Sequence, residues 1–459
     1  MLERLLQELD LHSVIHDALS VILLINCAIF ITSCARHIYL AHRVPKYMQR
    51  VGIYRTSNLA DQYDAKYDGD EETLPKSPIV IKALYIHPIK SCAPIELERA
   101  QLTKAGFAYD RCFALAVEAK TDEWQFISQR TKPQMARIKE ELWLPGPGSK
   151  RGNVLVEAGG CLVVSFPDPD PAYPLQRLRT AFETWTLSAK PEVRFTVPLL
   201  PSPGHINQMK IQMRHFTIHS RQATGLDLGQ LPGVAAAIPK LKRFLNIPAR
   251  QNLTLIRCTP DTLVRTTRNL APLDHIGTPA MHGYTDQQPV HIINLSSVHS
   301  VSQLLPTENQ PLSALRFRAN IYLTGPPAFS EETWKRYRIL PSKAATIPTR
   351  VASTLSVVCR TSRCTMPNVN PDLGVFEHDN SRPDRKKGVP QPSTTLIEHR
   401  TVEDGNPAAL GYMGMHCVPE DASLKEARDR NGEPYVEVGD EIEVLETGSH
   451  LYGSTGNDY

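Results

Sequence analysis

Ile79-Val80-Ile81-Lys82-Ala83-Leu84-Tyr85-Ile86-His87-Pro88-Ile89-Lys90-Ser91-Cys92 is the stretch whose reading decides the fold. Its first nine residues are rich in β-branched and aromatic side chains and stop at a proline, which predicts a strand running into a turn. Arg111 to Val117 predicts a second short strand. Asn153 to Glu157 and Cys161 to Phe166 flank Ala158-Gly159-Gly160, the pattern of a hairpin. Val234 to Leu245 and Ser296 to Leu305 predict helices, the second with Val298, Val301, Leu304 and Leu305 at core-facing helical spacing. Tyr435 to Val438 and Glu441 to Leu445 alternate apolar and acidic residues around Gly439-Asp440, reading as two paired strands or one bent one. Short strands punctuated by Gly and Pro make this a β-rich α+β chain, barrel-like from about Pro78.

At 459 residues the chain is long enough for two or three domains. Its net charge of +3 makes no electrostatic case for nucleic acid, and no phosphate-loop or dinucleotide glycine pattern occurs. Nine scattered cysteines, none in a Cys-x-x-Cys pair, fit a reducing compartment and match no zinc-ribbon spacing.

Ala18 to Ala35 is uncharged and apolar, about 27 Å as a helix and just enough to span hydrocarbon. Glu3, Glu8, Asp10 and Asp17 precede it against Arg4, while Arg36, Arg43, Lys46 and Arg50 follow it. That asymmetry predicts a retained signal anchor with the carboxyl-terminal part in the cytosol. The expected organisation is an anchor over 1–50, an acidic tether over 51–77, an amino-terminal barrel-like domain over 78–270, a second domain over 271–450 and a tail over 451–459.

Four segments carry the candidate chemistry. Lys90 and Ser91 present a cation and a hydroxyl on a turn, suited to a phosphate or pterin substituent, although an exposed surface lysine is the commoner case. Arg111 enters an apolar strand beside Asp110, for bidentate phosphate binding or a structural ion pair. Arg316, Arg318 and Asn320, at strand spacing, share one face that is either solvated or gathered at a polar ligand. In Arg363-Cys364-Thr365-Met366-Pro367, a thiol beside a fixed cation on a proline-stiffened loop can ligate a soft metal or simply fill space.

The ordered set His87-Pro88-Ile89-Lys90-Ser91, Asp110-Arg111, Gln129-Arg130, Ile218-His219-Ser220, Leu226-Asp227-Leu228-Gly229, Asp286, Pro289, Asn294, Arg316 to Ile321, Arg363-Cys364, Asn368 to Pro371 and Val438-Gly439-Asp440 resembles the MOSC-domain proteins. Among them it is most similar to the membrane-anchored mitochondrial amidoxime reducing components. The resemblance runs from about Pro78 to Leu445 and implies an amino-terminal β-barrel domain joined to a MOSC β-barrel domain. A molybdenum-molybdopterin cofactor between them is implied too, with Cys364 as thiolate ligand. Lys90, Ser91, Arg111, Arg316, Arg318 and Asn320 would hold the pterin and its phosphate, with Arg363 behind the metal ligand. Also implied are reduction of N-hydroxylated substrates, electrons from cytochrome b5 and its reductase, and anchoring in the mitochondrial outer membrane.

Departures from the family pattern fall at Ala319, often Pro, and at Leu373, often Thr; His416, after Gly414, takes the site-facing position near the end and is carried as a candidate catalytic residue. The long charged stretch from Val375 to Gln391 bears on substrate range. Two rival readings stand beside the reductase. One is a molybdenum cofactor carrier or sulfur-handling protein, expected to lack room for a desulfurase domain before Pro78. The other is a non-catalytic membrane-tethered interaction protein in which Cys364 is merely buried.

Overall fold

The computed structural model describes residues 2–42, 45–68, 78–149, 152–266, 271–342, 350–379, 388–403, 410–430 and 432–450. The Val80–Ile86 strand forms as expected, and its position organises everything else. It pairs with Ile321–Thr324 on one side and with Glu441–Thr447 and Ile95–Leu97 on the other. From Ile321–Thr324 the sheet continues through Val290–Asn294, Gly411–Pro419, Ser353–Arg363 and Trp334–Leu340 to Glu441–Thr447, so Val80–Ile86 closes it into a ring. The expected boundary at 270/271 is therefore crossed in space, because a strand from the amino-terminal side completes the carboxyl-terminal barrel.

A smaller closed barrel is built from Met213–Ile218, Arg221–Asp227, Leu253–Arg257, Phe113–Lys120 and Glu123–Phe126. Beside it, Met48–Val51, Lys139–Pro145, Cys161–Pro167 and Glu192–Pro198 form an antiparallel sheet. One apolar cluster runs from Ile81 and Leu84 through Phe113, Leu162 and Val197 to Val290 and Met415. The sheets thus share a core, and the chain leaving Ile86 is clamped to the chain entering Phe113: the Lys90 amide donates to the Phe113 carbonyl and the Arg111 amide to the His87 carbonyl, at 2.8 and 2.9 Å.

Helices cover the barrels at Pro232–Phe244 and Leu295–Leu304, where the periodicity placed them; Asn294 caps the latter by accepting from the Ser296 amide. Other expectations are corrected. Val154–Glu157 is a single helical turn capped by Asn153, because that side chain accepts from the Leu155 and Val156 amides, so only Cys161–Pro167 is a strand and no hairpin forms. Tyr435–Glu437 and Glu441–Thr447 do not pair with each other; the first joins Arg99–Thr103 and the second Trp334–Leu340. Residues 51–68 of the expected tether pack on the body, with Leu59 and Tyr67 buried against Tyr85 and Leu295. The remainder of that tether, the tail, and 380–387 of the charged stretch lie outside the described residues.

The apolar amino-terminal run lies in one helix, Leu2–His42. Its segment Ile15–Arg36, 22 residues at mean hydropathy 2.3 and unburied, reaches about 33 Å, long enough to cross a bilayer.

Candidate functional site

Between the barrels lies a cavity of about 550 Å³. Of the residues singled out in the sequence, Lys90, Ser91, Arg111, Arg318, Asn320, Arg363, Cys364 and His416 all line it. They come from five separate segments. The strand-to-turn element supplies Lys90 and Ser91, and the entry to Phe113–Lys120 supplies Arg111. The bend before Ile321–Thr324 brings Arg318 and Asn320, the end of Ser353–Arg363 brings Arg363 and Cys364, and Gly411–Pro419 brings His416.

Arg316 is the exception. The expected strand over 315–321 is instead a helical turn, Ala314–Phe317, with Arg318 left-handed at φ 53°. The twist removes Arg316 from the cavity face: its guanidinium is buried, pairs with the Glu377 carboxylate and donates to the Pro367 carbonyl. It therefore supports the Cys364 loop from beneath. Asn368 and Asn370 fasten the same loop, Asn368 to Ser393 at 2.8 Å and Asn370 to Glu377 at 2.6 Å. Cys364 itself is exposed, and its sulfur accepts from the Met366 amide at 3.5 Å.

The walls are held rigidly. Asp110, fully buried, accepts from the His87 amide at 2.7 Å, from Asn320 at 3.1 Å and from Arg111. Arg111 also reaches the Arg318 carbonyl at 2.7 Å, and Arg318 the Cys92 carbonyl at 2.8 Å. Gln129 donates to the Ser91 carbonyl at 2.9 Å, holding that turn open. Ser91, Arg111, His219 and Arg318 all adopt positive φ without being glycine. Such backbone is costly and clusters where a site is pre-organised.

Among the described residues, five cations, Lys90, Arg111, Arg130, Arg318 and Arg363, face the cavity against one carboxylate, Asp286. Burial, with Arg111 nearby, lowers Arg318 to about 10. Burial likewise pulls Lys90 down, and Asp286, its ion-pair partner, opposes this. Against desolvation, the Lys90 ammonium and His219 hold the Asp286 carboxyl well below the usual range. Burial and Arg363 lower His416 to about 4, so its imidazole is neutral near pH 7. His291 is depressed too, by burial and then Arg363. The two histidines are register partners on adjacent strands, with ring centroids 5.5 Å apart.

Seven buried polar atoms on the lining have no protein partner: Ser91 Oγ, Thr285 Oγ1, Gln288 Oε1, His291 Nε2, Thr361 Oγ1, Arg363 Nε and His416 Nδ1. Buried polar groups are normally satisfied, so their concentration on a cationic wall marks a place for a large, anionic, hydrogen-bonding ligand. His291, Thr361 and Gln288 were missed in the sequence, though His291 left a signal, a lone imidazole among the apolar residues that open the strand Val290–Asn294. Val438-Gly439-Asp440 proves structural: Asp440 is buried, binds Arg350 and accepts from the Glu437 amide at 2.7 Å, away from the cavity.

Residues 79–193 match the MOSC N-terminal beta barrel domain and residues 279–443 match the MOSC domain. Among curated proteins, the chain is 22% identical to mitochondrial amidoxime-reducing component 1 of Mus musculus over 72% of this chain and 75% of that one. It is 24% identical to mitochondrial amidoxime reducing component 2 of Homo sapiens over 70% and 72%. To the human molybdenum cofactor sulfurase it is 23% identical over 57% of this chain and 24% of the other. Both barrels, the ordered residues that meet between them and these matches place the chain among the MOSC-domain proteins, with a resemblance to the mitochondrial amidoxime reducing components.

Proposed function

We propose that this MOSC protein is a membrane-anchored oxidoreductase that holds a molybdenum-pterin cofactor in the cavity and reduces N-hydroxylated substrates, such as an amidoxime to an amidine. The observation that carries the reading is the cationic cavity with orphaned polar atoms on its wall and one exposed thiol, Cys364, at its edge. The cofactor would supply two-electron removal of oxygen from the substrate, chemistry beyond any side chain.

The chain's own residues have definable tasks. Lys90, Ser91, Arg111, Arg318 and Asn320 bind and orient the pterin and its phosphate, the cations neutralising its charge. Cys364 is the thiolate ligand, with Arg363 fixed behind it by its bond to the Phe317 carbonyl at 2.7 Å. Arg316 positions the ligand loop. Neutral His416 and His291 offer hydrogen bonds to the substrate side, not an imidazolium proton. Electrons arrive from a partner, in keeping with a cytochrome b5 and its reductase, and Ile15–Arg36 anchors the chain in the mitochondrial outer membrane with the barrels in the cytosol.

Metal and pterin analysis of the purified full chain is the test, and protein without stoichiometric molybdenum sinks the reading. Cys364→Ala should abolish reduction of a model amidoxime while shifting stability by no more than about 0.5 kcal/mol, since the side chain is exposed; unchanged activity refutes the ligand assignment. The match to a molybdenum cofactor sulfurase favours one second reading, a cofactor carrier or sulfur-handling protein. Full cofactor occupancy with no amidoxime reduction by the reconstituted electron chain would select it.

A further inference from the structure

The helix Pro174–Thr184 is built inside out. At 100° per residue Leu175 and Leu178 fall on one side and Thr180 on the other. Thr180 is the buried residue of the helix, while Leu175 and Leu178 are 79% and 66% exposed. The apolar surface continues before and after the helix with Tyr173, Trp185 and Leu187, all exposed. On the inward side Gln176 donates to Asp168 at 3.1 Å, which fixes the helix with its apolar side outward.

Its location says what covers that side. Arg36, the last residue of the candidate span, donates through Nε and Nη2 to the Glu183 carbonyl at 2.9 and 2.7 Å. The carboxyl end of the helix is thus tied to the point where the span leaves hydrocarbon. A helix with Leu175 and Leu178 exposed on one side, flanked by exposed Tyr173 and Trp185 and with exposed Arg177 and Lys190 nearby, has the composition of an element lying in the headgroup region.

We propose that Pro174–Thr184, with Tyr173, Trp185 and Leu187, lies in the surface of the same bilayer that Ile15–Arg36 crosses, giving the barrels a second membrane contact and a fixed orientation above it. The proposal rests on the reading of Ile15–Arg36 as a membrane span. It goes beyond a flexible tether, because a second contact removes the freedom of the barrels to rotate about the anchor.

The test uses the full chain in phosphatidylcholine vesicles, with and without bromine on the acyl chains. Trp185 emission is taken as the difference between the parent and Trp185→Phe, and alkaline carbonate extraction is run in parallel. The expected result is a chain that resists carbonate, with Trp185 emission blue-shifted and lost in brominated vesicles. Leu175→Glu combined with Leu178→Glu should abolish the quenching and leave carbonate resistance intact. Carbonate resistance with unquenched Trp185 overturns the proposal and leaves the anchor standing. Extraction by carbonate overturns the anchor and the proposal together. Shielding of Trp185 from aqueous acrylamide without bromine quenching assigns the surface to a second copy or another protein, and also overturns it.

Discussion

Replacing Asp110 by alanine removes the acceptor on which one wall of the cavity is hung. Its carboxylate is fully buried, and the Arg111 side chain beside it is only 13% exposed. Without Asp110, Arg111 keeps the Arg318 carbonyl as its protein acceptor, and the His87 amide loses its bond. Asn320 loses one acceptor but still donates to the Tyr85 carbonyl and accepts from the His291 amide, both at 3.1 Å. Removing one member of a buried ion pair costs about 3–5 kcal/mol, of which about 1–3 kcal/mol is the orphaned amide. That is a large share of the ~5–15 kcal/mol that stabilises a typical domain. Asp110→Asn keeps the shape but not the charge and should fall between, near 2 kcal/mol.

The assay is urea unfolding with intrinsic fluorescence, on preparations matched for cofactor content because a bound ligand itself stabilises. The decisive comparison is the double variant. Arg111→Met in the Asp110→Ala background removes the uncompensated cation, so the pair should be less destabilised than the sum of the singles by about 2 kcal/mol. An Asp110→Ala protein within about 1 kcal/mol of the parent, or singles that simply add, would show that the wall does not hang on this carboxylate.

Two further perturbations test the surroundings. Burial and neighbouring Glu332 push the Glu331 carboxyl from 4.5 up to about 7. The folded state then keeps a proton that the unfolded chain has released, so this contribution is full below pH 4.5 and lost as pH rises to about 7, on the order of 3 kcal/mol. The neutral buried His416 and His282, lowered by burial to about 4 and about 3, act oppositely, losing their contribution as pH falls below 6.5. Glu331→Gln removes only the first effect, so the stability of the parent minus that of the variant should decline between pH 4.5 and 7; a flat difference refutes the assignment. Gly414→Ala places a Cβ 2.5 Å from His291 Nε2 at φ 78° and should cost at least about 2 kcal/mol and lower bound pterin, whereas a variant as stable as the parent contradicts that contact.

What the sequence made legible was local and chemical. The strand before Pro88 follows from propensity and a breaker, and the helix after Asn294 from the spacing of its apolar residues, each set by neighbours in the chain. The cations and Cys364 stood out because such groups in apolar surroundings need a reason. Illegible were features decided by distant partners. Alternation at Tyr435–Glu437 and Glu441–Thr447 was real, but Gly439-Asp440 does not turn one onto the other; Asp440 is bound by Arg350, and each strand finds its partner elsewhere. Arg316 to Asn320 reads as a strand by residue type, yet Arg318 takes the left-handed region, and that single residue turns Arg318 and Asn320 to the cavity while Arg316 goes beneath it. Acidic composition suggested that 51–77 is a tether, but Leu59 and Tyr67 are buried, and Asp61 and Asp68 bind Lys82 and His299, which seats 51–68 on the body.

The cavity is assembled from what folding alone disfavours. Four non-glycine residues on its lining hold positive φ, at about 1–3 kcal/mol each, five cations face one carboxylate, and seven polar atoms are buried without partners. The strain, the excess of positive charge and the orphaned atoms do not stabilise the protein, and each could be relieved by a local change: glycine at Ser91, an apolar residue for Thr361 or a carboxylate opposite Arg318. The continuous core from Ile81 to Met415 offsets the cost, because the residues that carry the strain sit on strands and turns clamped to both barrels. A wall so consistently unfavourable to folding by itself is complementary to something that brings negative charge and hydrogen-bonding edges of its own. On the proposed reading, the Cys364 sulfur, exposed at the edge of that wall on a loop braced by Arg316, Asn368 and Asn370, is where a soft metal carried by such a ligand would meet the chain.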